Sequence, residues 1–293
     1  DGCANNGDEH VQTTEVRLSI GTRAYQIRSD DTYLRAMRPG TLHRIEAAVR
    51  RAVRANRFEP RMTRLYSTLV RPQDVVLDVG ANIGCTSILF AQSARRVVAF
   101  EPVPKTYAHW QRNIHASGHL NCVGINIALG NENKTSQMNY ADSNRSGAFV
   151  SDSVVGAGES AGIEVRRLDE LAASLDVPAV DFVKMDVEGY ERKVIEGGWS
   201  TIAANRCVVQ LELNAWCLNA MHRTSLPDFL DFLLDRFPLV YGVENGSYAD
   251  LRKTSTRWLV MHKNIIEQRF KEMVVAFDAS RLERFYSRYT EIG

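Results

Sequence analysis

Two short stretches carry the residues best suited to chemistry. In VVLDVGANIG (75–84), Asp78, Gly80, Asn82 and Gly84 stand where an apolar run gives way to a helix-like one. A glycine there permits a positive φ and lets a ligand approach bare backbone. Free N–H groups at the start of a helix suit an anionic group. The pattern D-x-G-x-N-x-G lacks the close glycine pair of the dinucleotide fingerprint, so a bound pyrophosphate is disfavoured. Asp78 suits an ammonium group instead. Glu101 ends the next apolar run, 21 residues after Gly80, where a carboxylate can accept hydrogen bonds from both hydroxyls of a ribose. A ligand with an amino-acid end and a nucleoside end satisfies both acids, and S-adenosylmethionine is such a ligand.

The second stretch is DFVKMDVEGYE (181–191), with Lys184, Asp186, Glu188 and Glu191. Side chains alternate along a strand, so Lys184, Asp186 and Glu188 share one side if the strand extends that far. Charges among Phe182, Val183, Met185 and Val187 are costly unless paired or bound to something. Glu188 and Glu191 read equally well as capping residues of the helix that follows. VVQLELN (208–214) adds Glu212 and Asn214 at another strand end. Asp186 and Glu212 have the oxygen ligands for one Mg²⁺, or form a hydrogen-bonded acid pair that orients a substrate hydroxyl. His222 is a candidate general base, against the commoner reading of a structural histidine.

The elements that must position these residues follow from the patterning. Short Val- and Ile-rich runs at 75–80, 97–102, 122–130, 181–189 and 208–214 read as strands. Helical segments at 84–94, 104–117, 168–175, 189–197 and 225–236 alternate with them. Strand–helix alternation implies a parallel sheet covered on both faces, a doubly wound α/β fold of about seven strands. Such sheets bind ligands at the carboxyl ends of their strands, where Asp78, Glu101, Asp186 and Glu212 fall. The runs 238–244 and 257–263 read as a final antiparallel pair, followed by a helical stretch over 264–289. Residues 139–162 are rich in Ser, Gly, Asn and Asp and read as a long loop of the kind that carries function. Before the α/β pattern lies an extension over 1–58. It has a polar start, a hairpin around Gly21-Thr22 in 15–28 and a helix over 41–57. A further helix begins at Pro60, so residues 59–293 form the cofactor-binding domain.

Composition narrows the classes. The 293 residues carry 36 Lys+Arg against 35 Asp+Glu, which disfavours a globally basic nucleic-acid binder. No apolar run approaches the ~20 residues of a spanning helix. Five widely spaced cysteines without a CxxC pair read as reduced thiols of a cytoplasmic protein. The chain begins at Asp1 rather than Met, so a preceding targeting segment would be invisible. Charge is uneven within the chain. Residues 38–71 hold nine arginines against Glu46 and Glu59, and Arg50, Arg54 and Arg57 recur at helical spacing. That face is solvated, or it docks an anionic acceptor such as a nucleotide sugar, a lipid-linked phosphate or a membrane surface.

In this order, DVGANIG (78–84), AFEPVP (99–104), ALG (128–130), RSG (145–147) and KMDVEGYE (184–191) resemble the FkbM-type methyltransferases. These are a branch of the class I S-adenosylmethionine-dependent enzymes, and the resemblance spans roughly residues 65–265. It implies a Rossmann-like sheet and, most often, O-methylation of sugar hydroxyls on glycans or natural products. It implies that Asp78, Gly80, Asn82, Gly84 and Glu101 line the cofactor site, with Asn126 and Ala128 near the adenine. Related sugar and catechol O-methyltransferases bind Mg²⁺ at the ends of the corresponding strands. By that analogy Asp186 and Glu212 are metal candidates, and Lys184, Asp186, Glu212 and His222 are catalytic candidates. The rival readings are a carboxylate or nitrogen methyltransferase and a non-catalytic cofactor-binding scaffold. Nothing in the residues fixes the oligomeric state.

Overall fold

The computed structural model describes residues 13–30, 58–141, 144–151, 159–174 and 179–293. The polar start, the helix expected over 41–57 and its arginines lie outside them.

Thr14–Ile20 (β1) and Arg23–Ser29 (β2) form the expected hairpin, in register from Thr14 opposite Ser29 to Ile20 opposite Arg23. Its apolar face, Leu18, Ile20 and Ile27, joins the same buried cluster as Ile88 and Leu89. Pro60–Leu69 (α1) starts on its proline, whose missing N–H costs nothing in a first turn. Val75–Val79 (β3), Cys85–Ala91 (α2), Arg96–Phe100 (β4), Pro104–Ser117 (α3) and Cys122–Ile125 (β5) follow. Gly118 ends α3 in the left-handed region, which lets the chain turn without a Cβ penalty. Next come Ala128–Leu129 (β6), Lys134–Ala141 (β7), Asn144–Ser151 (β8), Glu159–Arg166 (β9) and Leu168–Leu171 (α4). Phe182–Met185 (β10), Glu191–Ala204 (α5), Val208–Glu212 (β11), Ala215–His222 (α6) and Leu226–Arg236 (α7) return to the parallel pattern. The side chains of Asn214 and Ser225 cap α6 and α7 by accepting from Cys217 N and Asp228 N. The chain closes with Leu239–Glu244 (β12), Ser247–Asp250 (β13), Thr254–Glu267 (α8), Glu272–Ala276 (β14), Glu283–Tyr286 (α9) and Thr290–Ile292 (β15).

Among the described residues the main sheet has nine strands in the order β15-β13-β12-β14-β11-β10-β3-β4-β5. From β11 to β5 every pairing is parallel, as expected for a doubly wound fold. Residues alternate between two buried layers. Leu77, Val183 and Val209 face one layer, and Val76, Phe182 and Val208 face the other. The chain runs outward from β3 to β5 and then returns to β10 on the other side of β3. The connections leaving β3 and β10 therefore diverge, which opens a crevice at the carboxyl ends of those strands.

Several expectations need correction. The sheet has nine strands rather than seven, because β12 to β15 extend it. The run 257–263 is part of the helix α8, and β12 pairs with β13 and β14 instead. Trp258 and Leu259 are exposed, so the apolar density of that run did not signal a buried strand. The helix expected over 264–289 is broken by β14, which pairs antiparallel with β11. The loop expected over 139–162 lies largely in β7, β8 and β9, which join β6 in a second sheet of order β6-β9-β7-β8. The run 122–130 divides between the two sheets at Asn126 and Ile127.

Candidate active site

Three neighbouring strands carry a polar row one or two residues before their ends. Lys184 on β10 is the register partner of Asp78 on β3 and of Gln210 on β11. Asp78 is fully buried, and Lys184 approaches its Oδ1 at 3.3 Å. The hydroxyls of Thr86 and Ser87 donate to Asp78 Oδ2 at 2.8 and 2.6 Å. Lys184 Nζ also donates to Gly80 O at 2.8 Å. Burial pulls the Lys184 ammonium down, but Asp78, Asp186 and Glu101 outweigh it and hold it above its ordinary value. Paired and hydrogen-bonded, the two charges are tolerable under the sheet's end.

This ion pair holds the β3–α2 connection from below. Gly80 has φ +77°, and a Cβ there would lie 1.9 Å from Asp186 O. Only glycine fits such an approach. The N–H groups of Gly80 and Ala81 both donate to Phe100 O, tying the connection to β4. Asn82 N then donates to Glu101 Oε2 at 2.9 Å, and Val103 N donates to Glu101 Oε1 at 2.9 Å. Each carboxylate oxygen keeps a further lone pair for a ligand hydroxyl. Burial pushes Glu101 up to about 7, against the pull of those two backbone bonds.

The next row carries the acids. Asp186 follows β10 with its side chain half exposed, 3.8 Å from Lys184 Nζ. Glu188 sits in a turn at φ +52° and accepts from Cys217 Sγ at 3.0 Å. Burial and then Asp186 push it up to about 7. Glu212, at the end of β11, is driven well above its ordinary value by burial and by Asp186, Glu188, Glu272 and Glu191. Asp186, Glu188 and Glu212 each offer an oxygen within 4.8 Å of the others, a set able to hold a divalent cation. Glu191 braces the turn before α5 rather than capping the helix: its Oε1 accepts from Val187 N and Gly189 N.

A cavity of about 780 Å³ opens over these rows. Gly80, Asn82, Glu101, Ala128, Lys184, Asp186 and Glu212 line it, as do Glu188 and Gln210. Asp78, Gly84, Asn126 and His222 stand outside its lining. Asp78 faces Lys184 rather than the cavity, and Gly84 packs toward Trp110. Asn126 Nδ2 donates to the carbonyls of Glu101 and Pro102 and steadies that corner from behind. His222 packs on Tyr190 at 5.2 Å, and burial, then Lys193, lower its pKa. Beyond β11 the structure adds residues that sequence reasoning missed. Tyr66 donates to Gln210 Oε1 at 3.0 Å, and Gln210 Nε2 donates to Glu272 Oε2 at 2.6 Å. Gln210 left a signal, a glutamine inside VVQLE, whereas Glu272 was concealed in the stretch read as helical.

The comparisons decide the family. The model of the methyltransferase FkbM domain matches residues 78–236, more than half of the chain and the whole span from Asp78 to the end of α7. The chain belongs to the FkbM methyltransferase family. It is 25% identical over 213 residues to the 2-O-methyltransferase NoeI of Sinorhizobium fredii, covering 66% of this chain and 84% of that protein. It is 30% identical over 164 residues to the hexuronic acid methyltransferase AglP of Haloferax volcanii, covering 56% of this chain and 65% of that one. Among solved structures it is similar to a methyltransferase FkbM of Methylobacillus flagellatus, at 16% identity and a TM-score of 0.40, over 60% of this chain and 44% of the other.

The cavity suits the family's methyl donor, S-adenosylmethionine. Glu101 has free lone pairs on both oxygens, and the connection from Gly80 to Asn82 lines the cavity beside it. Among the described residues no helix is long and apolar enough to cross a membrane.

Proposed function

We propose that this FkbM methyltransferase transfers a methyl group from S-adenosylmethionine to a hydroxyl of a sugar, free or within a glycan or natural product. The observation that carries this reading is the division of one cavity between two kinds of wall. On one side the Gly80 connection and Glu101 suit a nucleoside. On the other the Asp186, Glu188 and Glu212 carboxylates suit hydroxyl groups, which donate to them. The names of the two curated relatives, a 2-O-methyltransferase and a hexuronic acid methyltransferase, support the sugar class.

When bound, S-adenosylmethionine supplies a methyl group already activated on a sulfonium. The chain's own residues then have three tasks. Glu101 holds the ribose through its hydroxyls. Lys184, neutralised by Asp78, keeps the glycine connection and the Asp186 corner fixed. Asp186 and Glu212 orient the acceptor hydroxyl and receive its proton. Holding the acceptor in line replaces a bimolecular encounter with a positioned one. Asp78 and His222 are assigned no direct contact, because neither lines the cavity.

A divalent cation bound by Asp186, Glu188 and Glu212 is a second reading, favoured by their oxygens lying within 4.8 Å of one another. Methylation of a carboxylate is disfavoured, since this cluster would repel that acceptor. The deciding experiment is a methyl-transfer screen over methyl glycosides, hexuronic acids and nucleotide sugars, with and without Mg²⁺ and chelator. Transfer to a sugar hydroxyl supports the reading. Methyl esters or N-methyl products alone would overturn it.

A further inference from the structure

The row of acids on β10 and β11 continues onto β14. Glu272 is the register partner of Glu212 on that antiparallel neighbour. Leu213 N donates to Lys271 O at 2.6 Å, so 213 and 271 form a hydrogen-bonded pair and 212 and 272 the adjoining non-hydrogen-bonded one. Side chains at such a pair point to one face and lie closest, with Cβ atoms about 4.5–5.5 Å apart. Glu212 and Glu272 both line the cavity. Glu272 nonetheless stands outside the set of Asp186, Glu188 and Glu212, whose oxygens gather within 4.8 Å.

A hydrogen-bonded chain from the core fixes Glu272 in that separate place. Gln210 Nε2 donates to Glu272 Oε2 at 2.6 Å, and Tyr66 donates to Gln210 Oε1 at 3.0 Å. Tyr66 and Gln210 are 3% and 2% exposed. The Tyr66 ring meets Phe90 and Phe182 edge-on, with centroids 4.7 and 6.2 Å away. One oxygen of Glu272 is thus anchored, and among the described residues its Oε1 takes no hydrogen bond. A neutral acceptor would satisfy Gln210 with a smaller desolvation cost. Burial, then Asp186 and Glu59, push Glu272 up to about 8. A hydroxyl suits either form of the group, because it donates to a carboxylate and accepts from a protonated acid.

We propose that Glu272, positioned by Gln210 and Tyr66, binds a second hydroxyl of the acceptor sugar while Asp186 and Glu212 hold the hydroxyl that is methylated. The inference rests on the sugar-hydroxyl reading and narrows it. The acceptor must carry a free hydroxyl near the reacting one, and a sugar that lacks it, or is already methylated there, is a poor substrate. Glu272 sets which sugar fits, and no bond to it forms or breaks.

The probes are the methyl glycosides that the wild type methylates and their monodeoxy analogues. Acceptor KM and kcat are measured for the wild type, Glu272→Ala, Glu272→Gln and Tyr66→Phe, with S-adenosylhomocysteine affinity as the check on folding. With the parent glycoside, Glu272→Ala should raise KM about tenfold, the weight of one hydrogen bond, and lower kcat by less. Glu272→Gln still accepts from Gln210 and still meets a hydroxyl, so it should recover most of that loss. Tyr66→Phe should shift KM in the same direction by less. The analogue lacking the bound hydroxyl should already have a raised KM with the wild type, and Glu272→Ala should add nothing to it. An unchanged KM in Glu272→Ala, an equal penalty with the parent and every analogue, or a fall in kcat at constant KM would each overturn the proposal. The wild type alone gives a further check, since equal KM for the parent and every analogue would also overturn it. All these outcomes leave wild-type transfer to the parent, and so the sugar reading, intact. Absence of wild-type transfer to any sugar hydroxyl would overturn both.

Discussion

Replacing Glu101 with glutamine keeps the side chain's shape and removes its charge. In the folded chain both carboxylate oxygens already accept a backbone N–H at 2.9 Å, from Asn82 and from Val103. The carboxylate is thus aimed before any ligand arrives, and its remaining lone pairs face the cavity. Hydrogen bonds to a charged group contribute about 1.5–3 kcal/mol. Their loss should raise the dissociation constant of S-adenosylhomocysteine by about 10- to 150-fold. Calorimetric titration measures this directly. The pH dependence adds a second signature. Burial pushes Glu101 up to about 7, and a ribose is held by the ionised form. Below that pH the proton must leave before the ligand binds, so wild-type affinity should fall by up to tenfold per pH unit. Above it the affinity should level off. Glu101→Gln should bind weakly at every pH, without that slope. The variant also leaves one backbone N–H without its carboxylate acceptor, at about 1–3 kcal/mol of stability, so a denaturant titration must accompany the binding data. A folded variant with undiminished affinity would remove Glu101 from the cofactor site.

Other outcomes follow from the same two polar rows. Lys184→Met leaves Asp78 buried without its cation and should destabilise the fold by about 3–5 kcal/mol in urea, and Asp78→Asn in the same chain should restore part of the loss. Gly80→Ala combines φ +77° with a Cβ 1.9 Å from Asp186 O, so a lower melting temperature and lost cofactor binding are expected, and an unperturbed variant would contradict the described connection. Asp186→Asn and Glu212→Gln should each lower kcat by about 10²–10⁴-fold with S-adenosylhomocysteine affinity kept, and a chelator mimics them only if a cation bridges the cluster. Glu191 is pushed up to about 8 by burial, against the bonds it accepts. The folded state therefore binds more protons than the unfolded one from the ordinary carboxylate range up to about 8, so its contribution to stability falls as pH rises through that window. A denaturation series in pH with Glu191→Gln isolates that contribution.

The parallel core and the cavity wall built by Gly80 and Glu101 are legible in the sequence because each rests on local pattern. VVLDVG, VVAFEP and VVQLELN are strand-length apolar runs ended by the very acids and glycine that reach the cavity. The sequence suits Asp78 to an ammonium partner, and in the fold Lys184 brings one to it. Sequence cannot show that Lys184, 106 residues later, is its register partner. The cavity wall around β11 and β14 was least legible. Gln210, Tyr66 and Glu272 come from three separate stretches joined only by tertiary hydrogen bonds. The run 257–263 misled because Trp258 and Leu259 are apolar yet exposed, so its hydrophobicity reported a surface rather than a core. Strands β7 to β9 were missed because polar and small residues dominate them, and the apolar side chains they bury, Met138, Val150, Ile163 and Val165, are few and spread over three strands.

The most direct measurement is transfer of a ¹³C-labelled methyl group from S-adenosylmethionine, with the product bond identified by nuclear magnetic resonance. The purified full chain would be incubated with methyl glycosides, hexuronic acids and nucleotide sugars. The account predicts a methyl ether on a sugar ring carbon, formed by the wild type and lost in Asp186→Asn and Glu212→Gln. A labelled ester or N-methyl group, or an ether formed equally well by both variants, would contradict it.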